Sequence, residues 1–247
     1  MLSLRLFLMV FVSFVCKEAM SAAPTLAWPS ALAAVAGCVL GFGLLSKSAA
    51  IFLIKPYAAQ VLAGHAAAHA PLYQFRQARR LIEWSWLVCL PPLLYASQWA
   101  QWSNRAIELG MPSAAAALMI VAPTLVLVVL LELSSAQLDH AVGGSEGGRS
   151  ITQIWAQRLR LGDFIHLAAA VLPVLVITGS NDLLSRFWPQ APPAWIAAAS
   201  VAIGISVVAL GYPSFFARTS GGQAVDSGPL CQRIHQYARQ LGLRRLP

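Results

Sequence analysis

The chain has 247 residues, of which 58% are hydrophobic and only 11% are charged, and its formal net charge is +8. A soluble domain carries about 25% charged residues, so this chain has too little polar surface to cover a water-facing globule. Its mean hydropathy of +0.66 also indicates a membrane protein. Because the basic residues stand between apolar segments, we expect them to set topology and meet lipid headgroups, and we expect no nucleic-acid partner.

The first 23 residues are typical of a signal peptide or of an uncleaved membrane anchor. Arg5 gives a positive start, residues 6–16 form an apolar run, and small residues follow near a cleavage point. The apolar run is short for a bilayer span. Lys17 and Glu18 directly after it are unusual for a signal peptide, so a retained anchor and a later translation start stay open.

Residues 24–212 are predicted to form an all-α, multi-pass transmembrane domain, because lipid offers backbone groups no partner outside a helix. Each of five apolar segments approaches the roughly 20 residues that cross about 30 Å of hydrocarbon. Prolines inside three of the segments are expected to kink these helices rather than end them. The connection after the first span is expected to be partly helical and broken at Pro56 and Pro71. The predicted spans are residues 28–45, 84–102, 112–133, 164–178 and 195–212.

The lysines and arginines alternate in number between the predicted spans. The four connections hold five, one, three and one, and the C-terminal tail holds five. By the positive-inside rule, the odd connections and the tail lie in the cytoplasm of a bacterial-type inner membrane. Glu83, Glu132 and Asp163 then fall at the cytoplasmic edge, where we expect water to reach them. A proton relay within the membrane is therefore not predicted.

His65 and His69 form the sharpest local pattern for a metal site. Residues four apart on a helix point the same way, which is the geometry that a metal ion uses. A zinc-protease helix would carry glutamate after the first histidine, but Ala66 stands at that position. The two histidines are otherwise read as part of a loop helix near the headgroups. Donors for a third ligand are Asp139, His140 and His166.

Residues 213–247 are predicted to form a cytoplasmic tail that contains an amphipathic helix. Asp226 and Ser227 offer an N-cap, Pro229 suits the first turn, and Gly242 ends the helix. Its apolar stripe needs a surface to bury against, which the membrane, a protein partner or a domain absent from this chain could supply. The stripe includes Leu230, Ile234, Tyr237 and Leu241.

The residues around this junction carry a resemblance to a known family. The runs Tyr-Pro-Ser-Phe-Phe at 212–216, Gly-Pro-Leu at 228–230, Arg-Ile at 233–234 and Ala-Arg-Gln-Leu-Gly-Leu at 238–243 extend over about 35 residues. This stretch resembles the junction in membrane-bound zinc metallopeptidases of the HtpX-like and CAAX-prenyl-protease-like group. The resemblance implies that a last membrane span leads through an amphipathic helix into a cytoplasmic peptidase domain.

The chain departs from that family in the feature that matters for catalysis. It contains neither the H-E-x-x-H helix nor a motif for the third zinc ligand. The resemblance therefore implies a membrane-anchoring part that has no catalytic residue and no cofactor, with zinc belonging only to an absent peptidase domain. Two alternatives stay open: a non-enzymatic subunit or scaffold that docks a partner through its C-terminal helix, and a metal- or haem-binding membrane protein that uses His65 and His69.

Overall fold

The computed structural model of the protein describes residues 4–20, 23–62, 70–143, 150–161 and 163–219. Within these ranges the chain is all-α, as predicted, and contains no strand. The helices are α1 (Leu4–Ala19), α2 (Trp28–Leu62), α3 (Ala70–Ala96), α4 (Trp99–Glu108), α5 (Ser113–Gly143), α6 (Ile151–Leu161), α7 (Asp163–Phe187) and α8 (Pro193–Thr219).

The chain divides into two compact units, Met1–Tyr212 and Pro213–Pro247. The first unit holds the helical bundle with its core and ion pairs. The described part of the second unit is the last stretch of α8, up to Thr219.

Three of the described helices contain a stretch long and apolar enough to cross a membrane: Trp28–Lys55 in α2, Ser113–Ala141 in α5 and Pro193–Gly211 in α8. They coincide with the first, third and fifth predicted spans. The regions of the second and fourth predicted spans are also helical, in α3 and α7. These two helices are not among the three apolar ones, so the prediction of five spans is confirmed only in this coarser form.

Prolines lie inside the helices, as expected for a chain that keeps its helices in lipid. Helix α3 continues through Pro91 and Pro92, α5 through Pro123 and α7 through Pro173. The predicted break at Pro56 is wrong, because α2 runs on to Leu62. A proline removes one backbone donor, and a long helix continues past it because its other residues keep their helical hydrogen bonds.

The helices alternate in direction, and side-chain contacts mark the two ends of the bundle. At one end, called the basic end below, Arg5 of α1, Arg79 of α3, Glu132 of α5 and Arg158 of α6 meet. A small apolar cluster of Ala50, Phe75 and Leu138 lies at the same ends of α2, α3 and α5.

The other end, called the opposite end, is fixed by hydrogen bonds that involve different parts of the same helices. Asn104 Nδ2 of α4 donates to the carbonyl oxygens of Lys17 and Met20, at 2.9 and 3.0 Å. The Ser113 hydroxyl, at the start of α5, donates to the Asp182 carboxylate at 2.6 Å. Asp182 lies near the end of α7, so α5 and α7 are antiparallel.

A turn at Gln98 divides the region of the second predicted span into α3 and α4. Gln98 adopts a left-handed backbone conformation with φ 57° and ψ 24°. This conformation costs a non-glycine residue roughly 1–2 kcal/mol. The side chain offsets that cost, because its Oε1 accepts hydrogen bonds from the Thr25 and Leu26 N–H groups at 2.8 and 2.6 Å, and its Nε2 donates to Thr25 Oγ1. The hydropathy pattern of the sequence does not reveal these long-range hydrogen bonds.

Helix α1 belongs to the core of the bundle. Leu6, Met9 and Val10 are buried in one apolar cluster with residues of α2, α3, α5 and α7. The same cluster contains Trp86, whose Nε1 donates to Thr124 Oγ1 at 3.1 Å. The segment predicted to be a signal peptide or an anchor therefore packs one face into the core of the bundle.

Candidate functional site

The site residues chosen from the sequence lie outside the described ranges. His65 and His69 fall in the gap before α3, and Leu230, Ile234, Tyr237 and Leu241 fall beyond Thr219. Both sets stay predictions. Across the described part of the chain, no group of three or more histidine, cysteine, aspartate or glutamate residues is placed to hold a metal ion.

The structure instead brings together an ionic cluster at the basic end of the bundle. Its members come from four helices that are far apart in sequence. Helix α3 contributes an arginine and a glutamate four residues apart, and α5 contributes carboxylates at positions that share one helical face. The ionic cluster consists of Arg5, Arg79, Glu83, Glu132, Asp139 and Arg158.

Arg79 is the centre of this cluster, because its guanidinium contacts three partners at once. Nε donates to Glu83 Oε1 at 3.0 Å, Nη2 donates to Glu132 Oε1 at 2.9 Å, and Nη1 donates to Ser135 Oγ at 3.0 Å. The Ser135 hydroxyl in turn donates to the Leu131 carbonyl oxygen at 2.9 Å. The planar fork of arginine presents donors in several fixed directions, and lysine could not reproduce this arrangement.

Two further arginines reach the same buried carboxylates from outside. Arg5 Nη1 lies 2.5 Å from Glu83 Oε2, and Arg158 Nη1 lies 3.5 Å from Glu132 Oε2. Arg158 also pairs with Asp139, to which its Nε donates at 2.6 Å. Each glutamate thus faces two guanidinium groups, and the six charges of the ionic cluster sum to zero.

The depth of the two glutamates differs from what the sequence suggests. Glu83 and Glu132 were expected at an edge that water reaches, but their residues are only 2% and 1% exposed. A carboxylate can stay ionised in such a place only when cations and hydrogen bonds replace its water shell. Hydropathy locates the end of an apolar segment, but it does not show which residues of other helices cover that end.

Part of this cluster could have been read from the sequence. The spacing of Arg79 and Glu83 is that of an ion pair on one helix, and Glu132, Ser135 and Asp139 share a face at spacings of three and four. The arginines were interpreted in terms of topology alone. The pairing of Arg5 with Glu83 has no local signal, because it depends on α1 packing against α3.

A cavity of about 250 Å³ opens beside the cluster at the basic end. Besides members of the ionic cluster, it is lined by Phe75 and Leu138, which are buried, and by Arg76 and Arg80, which are exposed. The two exposed arginines have no carboxylate within ion-pair distance in the described structure. Because arginine keeps its proton at any physiological pH, the cavity has a fixed positive charge and offers no acid–base pair from its arginines.

Comparisons of the chain with protein-family models, with curated proteins and with solved structures find no match. The similarity of residues 212–243 to a metallopeptidase junction therefore stays a prediction from the sequence.

Proposed function

We propose that this protein is a multi-pass integral membrane protein whose helical bundle anchors its C-terminal segment at the basic side of the membrane. The observation that carries the proposal is the presence of three helices that are long and apolar enough to cross a bilayer. A helix of this kind satisfies its own backbone hydrogen bonds, which lipid cannot do for it.

The outer surface of these helices supports a lipid environment. Large apolar side chains are exposed along α2 and α8, with Phe52 at 77% and Leu210 at 79%. Leu40, Leu44 and Leu45 of α2 are exposed as well. A contiguous surface of this kind would promote aggregation in water, whereas in a bilayer it contacts acyl chains at no cost.

The distribution of cations supports one orientation of the bundle. The basic end holds the arginines of the ionic cluster together with Arg76 and Arg80, whereas the opposite end has Lys17 at the end of α1, Arg105 of α4 and Arg186 near the end of α7. By the positive-inside rule, the basic end faces the cytoplasm. The apolar stretch of α8 starts after the opposite end and returns toward the basic side, which favours a cytoplasmic tail.

The role that fits this layout is that of the membrane-anchoring part of a zinc metallopeptidase. It rests on the resemblance of the α8 junction and on the direction of α8. In this proposal the chain alone is inactive, its catalytic site and zinc belong to another domain, and chelators leave the purified protein unchanged. Stoichiometric zinc in the purified chain, measured by elemental analysis, would contradict it.

A second candidate is a non-enzymatic membrane subunit that docks a protein partner through its tail. The apolar stripe that includes Leu230, Ile234, Tyr237 and Leu241 favours it, because such a stripe needs a surface to cover it. A partner that co-purifies with the wild type and is lost on Ile234→Asp would support this role. A partner retained by that variant would contradict docking through the stripe.

Membrane integration itself is tested by extraction of isolated membranes at alkaline pH. The protein should stay in the membrane pellet after carbonate treatment and should dissolve only in detergent. A peripheral protein is released by the same treatment. Recovery of the chain in the carbonate supernatant would overturn the proposed function.

A further inference from the structure

The cavity at the basic end carries more positive charge than the fold requires. Arg5, Arg79 and Arg158 are neutralised within the ionic cluster by its three carboxylates. Arg76 and Arg80 line the same cavity without a carboxylate at ion-pair distance in the described structure. The cavity is therefore lined by two guanidinium groups that are not neutralised by a described carboxylate, next to the ionic cluster, whose charges sum to zero.

These two arginines share one face of α3 with Arg79. Residues three and four apart on a helix are neighbours, so Arg76, Arg79 and Arg80 form one patch. Arg79 is held in place by Glu83 and Glu132, and this fixes the helical turn that carries its two neighbours. An anion in the cavity would meet donors whose backbone is already ordered, which lowers the entropic cost of binding.

The cavity lies at the level where lipid headgroups are expected. Glu132 is about 28 Å along the α5 axis from Ser113 at about 1.5 Å per residue, close to the roughly 30 Å thickness of a hydrocarbon core. Phe75 and Leu138 give the cavity an apolar part of its lining beside the arginines. A cavity of about 250 Å³ is large enough for a phosphate group with some of its water, since each water takes about 30 Å³.

We propose that this cavity binds the phosphate group of an anionic phospholipid in the leaflet at the basic end. Guanidinium groups bind phosphate through paired, charge-assisted hydrogen bonds, and basic pockets between membrane helices are suited to anionic headgroups. Two uncompensated cations select lipids with net negative charge over zwitterionic ones. The inference rests on the proposed membrane placement of the bundle.

The test uses the full chain purified in a neutral detergent. Native mass spectrometry measures the binding of phosphatidylglycerol and of phosphatidylcholine, whose headgroup carries its own cation. The wild type should prefer phosphatidylglycerol. Each cation near an anionic lipid contributes about fivefold to binding, so the double substitution Arg76→Ala with Arg80→Ala should weaken it about 25-fold.

The matched control is the double substitution Arg105→Ala with Arg186→Ala, which removes the same charge from the opposite end. It should leave the preference for phosphatidylglycerol unchanged. Equal loss in both double variants, or no preference for phosphatidylglycerol in the wild type, would overturn the proposal. Thermal unfolding of each variant checks that the fold is intact.

A competition arm separates the two sources of a phosphate group. Inorganic phosphate that displaces phosphatidylglycerol from the wild type, but does not bind the Arg76→Ala, Arg80→Ala variant, supports the cavity as the site of the lipid phosphate. Binding of inorganic phosphate without a preference for phosphatidylglycerol would identify a free anion as the occupant and overturn the proposal. Carbonate extraction of the same membranes is run in parallel. A chain that stays in the membrane but shows neither binding refutes this inference alone, whereas a chain released by carbonate refutes the membrane placement.

Discussion

Arg79 joins two carboxylates that would otherwise repel each other inside the bundle. Its fork contacts Glu83 on its own helix and Glu132 on α5, and both glutamates are buried. A buried ion pair adds little net stability compared with apolar residues, but the loss of one partner leaves an uncompensated charge. The ionic cluster therefore adds a buried polar contact between α3 and α5 that is centred on Arg79, beside the hydrogen bond from Trp86 to Thr124.

The substitution Arg79→Ala should lower the free energy of unfolding by about 3 to 5 kcal/mol, the cost of breaking a buried pair. Arg5 and Arg158 would still face the glutamates, but the hydrogen bonds from Arg79 to both carboxylates would be lost. Thermal or denaturant unfolding of the detergent-solubilised protein measures the change.

The neighbouring substitution Arg80→Ala is the control for this prediction. Arg80 is exposed and has no ion pair in the described structure, so its loss should change stability by no more than about 0.5 kcal/mol. Similar unfolding curves for Arg79→Ala and the wild type would show that the buried network does not hold the bundle together.

At the residue scale, the sequence predicts how basic residues are distributed along the chain better than it predicts which charged residues pair. The alternation of basic residues was visible from counting alone, and the cluster of arginines at one end agrees with it. The burial of Glu83 and Glu132 was not visible, because it depends on residues of other helices, such as Arg79, which lies 53 positions before Glu132. Local spacing offered only the pairing of Arg79 with Glu83.

At the element scale, the sequence does not decide whether α1 is cleaved as a signal peptide or retained as an anchor. Its buried face packs in the central cluster, and Arg5 pairs with the buried Glu83. Asn104 also donates to the carbonyl oxygens of Lys17, in the last turn of α1, and Met20, just after it. Cleavage behind α1 would remove these contacts and expose the face of α3 that α1 covers.

We therefore expect α1 to be retained in the mature protein as an anchor. The intact mass of the purified chain should include residues 4–19, and Arg5→Ala should destabilise the bundle because Glu83 loses one of its two arginines. Glu18, at the far end of α1, has a side chain that is 81% exposed and pairs with Lys17 at the surface, so Glu18→Ala serves as the control with a smaller effect. A mature N-terminus near residue 24 would contradict this expectation.

The approach of α8 to α7 depends on a glycine. A Cβ atom added at Gly204 would overlap the Ile177 side chain, whose branched Cβ limits its movement. Small residues let helices approach closely in a membrane, where packing contributes to association. Gly204→Ala should therefore lower stability by about 1 to 3 kcal/mol, as overpacking does in other cores.

Gly41→Ala on α2 provides the matched control, since an added Cβ there meets no atom within 4 Å. That change should leave stability the same or raise it by up to about 1 kcal/mol, because alanine favours a helix over glycine. Thermal unfolding compares the two variants. Equal stability of both would show that α7 and α8 do not pack closely at Gly204.

Among the elements, helices in apolar segments were predictable and their interruptions were not. The three apolar helices coincide with predicted spans because length and hydropathy alone define them. The turn at Gln98 depends on hydrogen bonds to Thr25, 73 positions earlier in the chain. The run of α2 past Pro56 shows the converse error, in which a local helix breaker was given too much weight.

At the scale of the whole molecule, the position of the ionic cluster and the positive-inside rule together predict one orientation of the bundle in the membrane. The uncompensated arginines and the ionic cluster, with Arg158 of α6, lie at one end of the bundle, whereas the turn between α7 and α8 comes after Asp182 at the opposite end. If the basic end faces the cytoplasm, then residues exposed at the two ends must differ in their access to a reagent that cannot cross the membrane.

Single cysteines test this orientation in a background where the four native cysteines are serine. Gln153→Cys lies on the exposed part of α6 at the basic end, and Gln190→Cys lies in the exposed turn before α8. An impermeant maleimide should label Gln190→Cys in intact cells with a permeable outer envelope, and Gln153→Cys only after the inner membrane is opened. If Gln153→Cys is labelled in intact cells and Gln190→Cys is not, the basic end faces outward. That result would contradict the orientation predicted by the positive-inside rule.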